Sequence, residues 1–153
     1  LIEVEHWANL DPEPKVNKAI VASRVEEVRR NSDFVKNEIL AKNVSELSYK
    51  DVLALERAVY RIAEAMLDIC RHLTAVYSLG IVESYGEYPE RLAQAGKMPR
   101  ELAEELAEIA GLRNILAHRY LEVDLNKLYE AAREIATRIV PKFIQWVKGM
   151  NAK

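Results

Sequence analysis

The sequence predicts an all-α protein, an up-and-down bundle of four to five helices. Three observations lead there. Apolar residues recur at spacings of three and four over long stretches, which is the period of a helix with one buried face. No segment shows the strict alternation of a half-buried strand. The breaks between the periodic stretches carry residues that start or stop helices. With 153 residues, half of them hydrophobic, the chain is long enough to bury one core. Residues 1–153 therefore read as a single domain, with an N-terminal arm over residues 1–12.

Residues 1–10 mix apolar and charged types without a period. Asp11-Pro12-Glu13-Pro14 suits a helix start, since aspartate can cap and proline is tolerated in a first turn. Val21, Val25, Val28, Val35 and Ile39 then follow helical spacing, with Ser32 interrupting the stripe, so a helix is predicted over 13–42. Ser48 is a good N-cap and Asp51 places its charge in the first turn. From there Val52, Leu55, Val59, Ile62, Met66, Ile69, Leu73 and Val76 form one unbroken seam, with Gly80 as the expected stop. A seam this regular belongs in a bundle, where near-parallel helices stay in contact along their length. Residues 81–98 read as a connection with a short helix near 89–95. Pro99 opens the next helix, whose apolar side is Leu102, Leu106, Ile109 and Leu116. Asp124 caps the last, lined by Leu128, Ala132, Ile135, Ile139, Phe143 and Trp146, and Pro141 should kink it.

Composition limits the function. A charged fraction of 30% with a net charge of −2 argues against holding nucleic acid by bulk positive charge. Any phosphate contact must come from a local cluster, and Arg91, Lys97, Arg100, Arg113 and Arg119 are the side chains expected to gather. The lone Cys70 cannot pair within the chain, which fits a reducing, cytoplasmic setting. No apolar run reaches the roughly 18 residues of a membrane span, and the first residues lack the order of a signal peptide. The first residue is not methionine, so native residues upstream are expected. Abundant Lys, Arg and Glu with little Gln lean toward a heat-stable source. Gly-rich phosphate loops, Cys/His zinc clusters and nucleophile elbows are absent from the sequence, so no metal and no cofactor are expected.

Three constellations stand out. Glu64, Asp68 and His72 share a helix face at successive i, i+4 positions. A metal could use such a ladder, but a solvated face with acids paired to Arg57, Arg61 or Arg71 is the simpler reading. Glu3 and His6 have Glu-x-x-His spacing in a single copy, which is weak. The segment Gly111-Leu112-Arg113-Asn114-Ile115-Leu116-Ala117-His118-Arg119-Tyr120 is more concentrated. Asn114 and His118 share a face, so an amide–imidazole bond is feasible. Arg113 and Tyr120, seven apart, are nearly eclipsed, and small Gly111 and Ala117 would let another helix approach. Spacing alone also fits a surface arginine, a core histidine and an aromatic closing the bundle.

That segment, followed by Val123-Asp124, resembles the signature of the HEPN superfamily, and more closely that of the HepT-like (DUF86) toxins of HepT–MntA toxin–antitoxin systems. The family pattern is Arg-x4-His-x-Tyr, filled here by Arg113, His118 and Tyr120, with Asn114 in the commonest residue type after the arginine. The resemblance runs over residues 15–147. It implies a metal-independent endoribonuclease toxin that works as a homodimer, with the two motif segments facing each other. It also implies a partner, an MntA-type nucleotidyltransferase antitoxin that transfers AMP to Tyr120. Arg113 would bind phosphate and stabilise transition-state charge, His118 would do acid/base work, Asn114 would hold the imidazole or brace the interface, and Arg119 would add an RNA contact. The alternative is a non-catalytic HEPN-like binding subunit of a nucleotidyltransferase pair.

Overall fold

A computed structural model of the chain describes residues 15–151. The expected arm, the Asp11-Pro12 start and the Glu3/His6 pair lie outside the described residues. Among the described residues every regular element is helical, and the chain is an all-α bundle. Helix α1 spans Lys18–Phe34 and runs on through a π-turn, Val35–Ile39. Its start is later than expected: the Asn17 side chain, not Asp11, caps it by accepting from the Ile20 N–H at 3.1 Å. A 3-10 turn at Val44–Glu46 leads to α2, Tyr49–Val76. Short α3 covers Glu87–Gln94, and α4 covers Arg100–His118. A 3-10 turn, Tyr120–Glu122, precedes α5, Leu125–Glu134, which continues through a π-turn, Ile135–Ile139, into α6, Val140–Asn151.

Helix α2 is the centre of the bundle and contacts α1, α3, α4 and α5. Ser48 and Asp51 cap it reciprocally, as the sequence predicts: the Ser48 hydroxyl accepts from the Asp51 N–H at 3.0 Å, and the Asp51 carboxylate accepts from the Ser48 N–H at 2.9 Å. Leu55, Val59, Ile62, Met66, Ile69 and Leu73 of the expected seam are buried. So are Ala58, Ala63, Ala65, Leu67 and Cys70, because neighbours pack on more than one side of this helix. It ends before Gly80. The Leu79 N–H bonds back to the Thr74 carbonyl and the Ser78 N–H to the Ala75 carbonyl. This Schellman closure needs a left-handed residue at its turn, and Ser78 takes it, with φ of 53°.

Pro141 does not break the last helix. A widened turn ahead of it absorbs the missing donor, with the Val140 N–H bonding back five residues to the Ile135 carbonyl. The next donor in that register would be the nitrogen of Pro141, which has no hydrogen, so the Ala136 carbonyl has none. Ser32 supplies it: its buried hydroxyl donates to Ala136 O at 3.4 Å. The residue that interrupts the apolar stripe of α1 thus partners the defect in the neighbouring helix. Phe143 is fully buried against Trp146, whose indole N–H donates to the Lys97 carbonyl at 2.9 Å.

Candidate active site

The polar segment singled out in the sequence forms the last turns of α4. Leu106, Ile109 and Ala110 are buried and set the rotation of the helix. That rotation turns Arg113 inward against α2, while Asn114 and His118 are exposed. The Arg113 Nε–H donates to Glu64 Oε1, and Nη1–H donates to Asn114 Oδ1 at 2.9 Å. The guanidinium also lies over two rings, 4.7 Å from the centroid of Tyr85 and 5.5 Å from that of Tyr60. Only 15% of its side chain is exposed. Burial works against its charge, but the hydrogen bond and charge of Glu64, with smaller help from Tyr60 and Tyr85, leave Arg113 more basic than a free arginine.

His118 is the final residue of α4 and borders an open groove with Leu53, Glu56, Arg57, Tyr60, Leu116 and Ala117. Arg57 lies 5.1 Å from the Tyr60 centroid, so two guanidiniums flank one tyrosine that also lines the histidine's groove. Burial raises the Glu56 carboxyl above its usual range. A larger groove runs between α4 and α5, floored by Ile109, Leu112, Ile115, Leu128 and Ile135. Neither Arg113 nor His118 borders it.

The structure corrects several expectations. Asn114 does not bond His118; its amide oxygen is taken by Arg113, its neighbour in sequence. Arg119 leaves helical geometry at φ −135° and ψ 43°, so Tyr120 begins a separate 3-10 turn and the eclipsed register with Arg113 does not apply. Among the described residues, leaving aside Gly111's chain neighbours and its own helix backbone, no atom lies within 4 Å of a Cβ added at Gly111, so the approach expected there is not made by them. The five basic residues do not gather. Arg91 donates to the Ile81 carbonyl, Lys97 lies over Tyr77, Arg100 pairs with Glu90 and Arg119 with Glu122. Arg100 and Arg113 are about 20 Å apart along one helix at 1.5 Å per residue. The basic side chains beside the site come from α1 and α2 instead: Arg24, Arg57 and Arg61.

The acidic ladder of α2 serves structure and this site. Glu64 holds Arg113, Asp68 pairs with Arg24 and Arg71, and His72 Nε2 accepts from the Asn17 N–H at 2.9 Å. Of the three arginines expected to pair with the ladder, only Arg71 does so; Arg61 pairs with Glu27. Among the described residues no three His, Cys, Asp or Glu side chains come together as a metal site. Sequence reasoning missed Glu64, Tyr60 and Tyr85 as partners of Arg113. The spacing Arg57, Tyr60, Glu64 places those three on one helix face, but only the packing shows that α4 covers it.

The class of protein follows from an all-α bundle with an arginine and a histidine five residues apart at the end of one inner helix. The family model described as "Ribonuclease HepT-like" matches residues 23–147, and the chain belongs to that family. It is 30% identical to the tRNA nuclease HepT of Aphanizomenon flos-aquae over 138 residues, covering 88% of this chain and 91% of that one. Over 66 residues it is 36% identical to the mRNA nuclease HepT of Shewanella oneidensis, covering 43% and 50% of the two chains. Among solved structures, a toxin–antitoxin crystal structure with AMP-PNP superposes with a TM-score of 0.75 at 21% identity, covering 88% of this chain and 99% of that one. The tri-AMPylated Shewanella oneidensis HEPN toxin in complex with its MNT antitoxin gives 0.74 at 22%, covering 88% and 98%. At these identities the structural likeness concerns the fold. No helix among the described residues is long and apolar enough to cross a membrane.

Proposed function

We propose that this chain is a metal-independent endoribonuclease, the toxin of a type VII-like toxin–antitoxin pair, with Arg113 and His118 as its catalytic residues. The observation that carries this is that Tyr60 links the two: Arg113 is held over its ring, and exposed His118 lines a groove that Tyr60 also lines. The chemistry fits without a metal. The RNA 2′-hydroxyl attacks the adjacent phosphorus, a new P–O bond forms, and the bond to the 5′-oxygen breaks. One base must take the hydroxyl proton and one acid must protonate the leaving oxygen. Histidine can serve as either near neutrality, and a planar guanidinium matches the phosphate oxygens. One chain brings one His118, so a homodimer supplies both proton carriers. Exposed Leu53, which lines the His118 groove, exposed Leu121, next to Tyr120 in sequence, and the open face at Gly111 support such pairing.

Control by an MntA-type nucleotidyltransferase through AMP transfer to Tyr120 completes the reading. A bulky anion two residues from His118 would occupy the phosphate position and repel RNA. The relatives' names and the toxin–antitoxin complexes support this partner, and the cytoplasm is the setting it implies. Arg119, exposed at the helix end, is assigned a further phosphate contact, and Asn114 the support of Arg113 rather than of the imidazole. One observation favours a second reading, a non-catalytic HEPN-like binding subunit: the dispersal of Arg91, Lys97 and Arg100 leaves little bulk charge for RNA. The test is cleavage of RNA by the purified chain in EDTA. Cleavage that disappears in both Arg113→Ala and His118→Ala supports the nuclease; full activity in His118→Ala overturns its role. Mass spectrometry after incubation with the nucleotidyltransferase and ATP should show added AMP mass that Tyr120→Phe abolishes.

A further inference from the structure

The geometry points to Glu64 as a positioning residue for the reaction, acting through Arg113; this rests on the ribonuclease reading above. A guanidinium carries five N–H donors in one plane. Among the described residues, Glu64 takes the Nε–H and Asn114 takes one hydrogen of Nη1. Three donors remain, all on the two terminal nitrogens. A phosphate is therefore met by the Nη end and not by the Nε edge. Tyr85 and Tyr60 lie over the same group, which restrains its plane as the two hydrogen bonds restrain its rotation about that plane. Glu64 is on α2 and Arg113 on α4, so the contact also fixes the catalytic helix against the central one.

Two features separate this from an ordinary surface ion pair. Exposed pairs contribute little and leave long side chains mobile, whereas here the side chains are only 15% and 26% exposed. The contact uses the Nε–H, the one donor whose direction is fixed by the aliphatic stem, so it specifies orientation as well as neutralising charge. Outer partners that orient metal-ligating side chains typically matter by about 10–100-fold in activity, misplacement of a reacting group by about 1 Å can cost on the order of 100-fold, and a loss of that size is expected here.

The experiment is a double-mutant cycle on RNA cleavage, with NMR of the arginine side chain beside it. Glu64→Ala should lower kcat about 10–100-fold with a smaller change in KM. Glu64→Gln, which keeps an acceptor oxygen, should recover most of that loss. In an Arg113→Lys background, whose residual cleavage can be measured and which lacks the Nε–H that Glu64 accepts, Glu64→Ala should cost far less than in the wild-type chain. A purely structural role would instead give losses that multiply, and that result overturns the proposal. The Arg113 Nε–H resonance should be resolved and slow to exchange in the wild-type chain, and broadened in Glu64→Ala while the Glu64→Gln variant retains it. An Nε–H signal unchanged in Glu64→Ala overturns the positioning role even if the chain cleaves no RNA. Loss of that signal in a chain that cleaves nothing supports the contact and overturns the ribonuclease reading alone.

Discussion

Arg113 contributes shape as well as charge. Its fork reaches Glu64 and Asn114 at once and still leaves donors for a substrate. Lysine has a comparable charge but a single ammonium, which cannot hold both partners in one plane. Arg113→Lys is therefore expected to lower kcat/KM for RNA by on the order of 100-fold while circular dichroism stays unchanged. Activity within about threefold of wild type would mean that charge alone suffices. Cys70 gives a second expectation. Burial pushes its thiol well above the usual range, so it should resist thiol reagents until the chain unfolds. Arg113 and His118 were singled out because residues 113–120 concentrate polar groups at one helix end and resemble a family signature. Glu64 was not, lying 49 positions away on a face that reads as solvated until α4 is placed on it. Tyr85 sits in a connection whose sequence has no period to read.

Helices were legible where one seam ran unbroken, as along α2, and less so where two elements correct each other. Ser32 reads as an interruption and Pro141 as a kink; together they are donor and defect, 104 residues apart at Ala136. No local pattern carries that pairing. Ser32→Ala should cost about 1–3 kcal/mol by leaving a buried carbonyl unpaired, seen as a lower urea midpoint at unchanged slope. The end of α2 shows a second limit. Gly80 is the expected stop because glycine favours left-handed backbone, yet Ser78 occupies the turn. A side chain in that region is strained, so Ser78→Gly should stabilise the chain by roughly 0.5–1 kcal/mol, less what glycine gains in freedom when unfolded. A fall in Tm would show that the Schellman turn does not limit this helix end.

At the scale of the molecule, the start of α1 is tied to α2 through a neutral imidazole. His72 accepts the Asn17 N–H, and burial holds its pKa below the ordinary value of 6.5. The sign follows from linkage: the unfolded chain binds this proton more readily than the folded one. The contribution is complete above about pH 6.5 and is lost as pH falls through the folded value. Wild-type stability should therefore decline from pH 7 to 5 more steeply than that of His72→Gln; parallel curves in urea unfolding would exclude it. Carboxylates held low, such as Glu105 between Lys142 and Arg138, titrate below this window.

One subunit brings an arginine held in place and one exposed histidine, while the proposed cleavage moves two protons at two oxygens. A net charge of −2 raises little repulsion between copies. Leu53, which lines the His118 groove, and Leu121, three residues after His118, are exposed apolar side chains whose burial against a second chain would stabilise a dimer. If the site needs both chains, activity per chain cannot be constant. It should fall on dilution through the dimer dissociation constant, approaching zero where sedimentation shows monomers. A cross-link that joins two subunits without touching Arg113 or His118 should hold the rate per chain steady across the same dilution. A rate per chain that stays constant well into the monomer range would place both proton transfers within one subunit, and would require a second proton carrier beside His118. Glu56, whose carboxyl is raised by burial on the wall of the same groove, is then the residue to replace first.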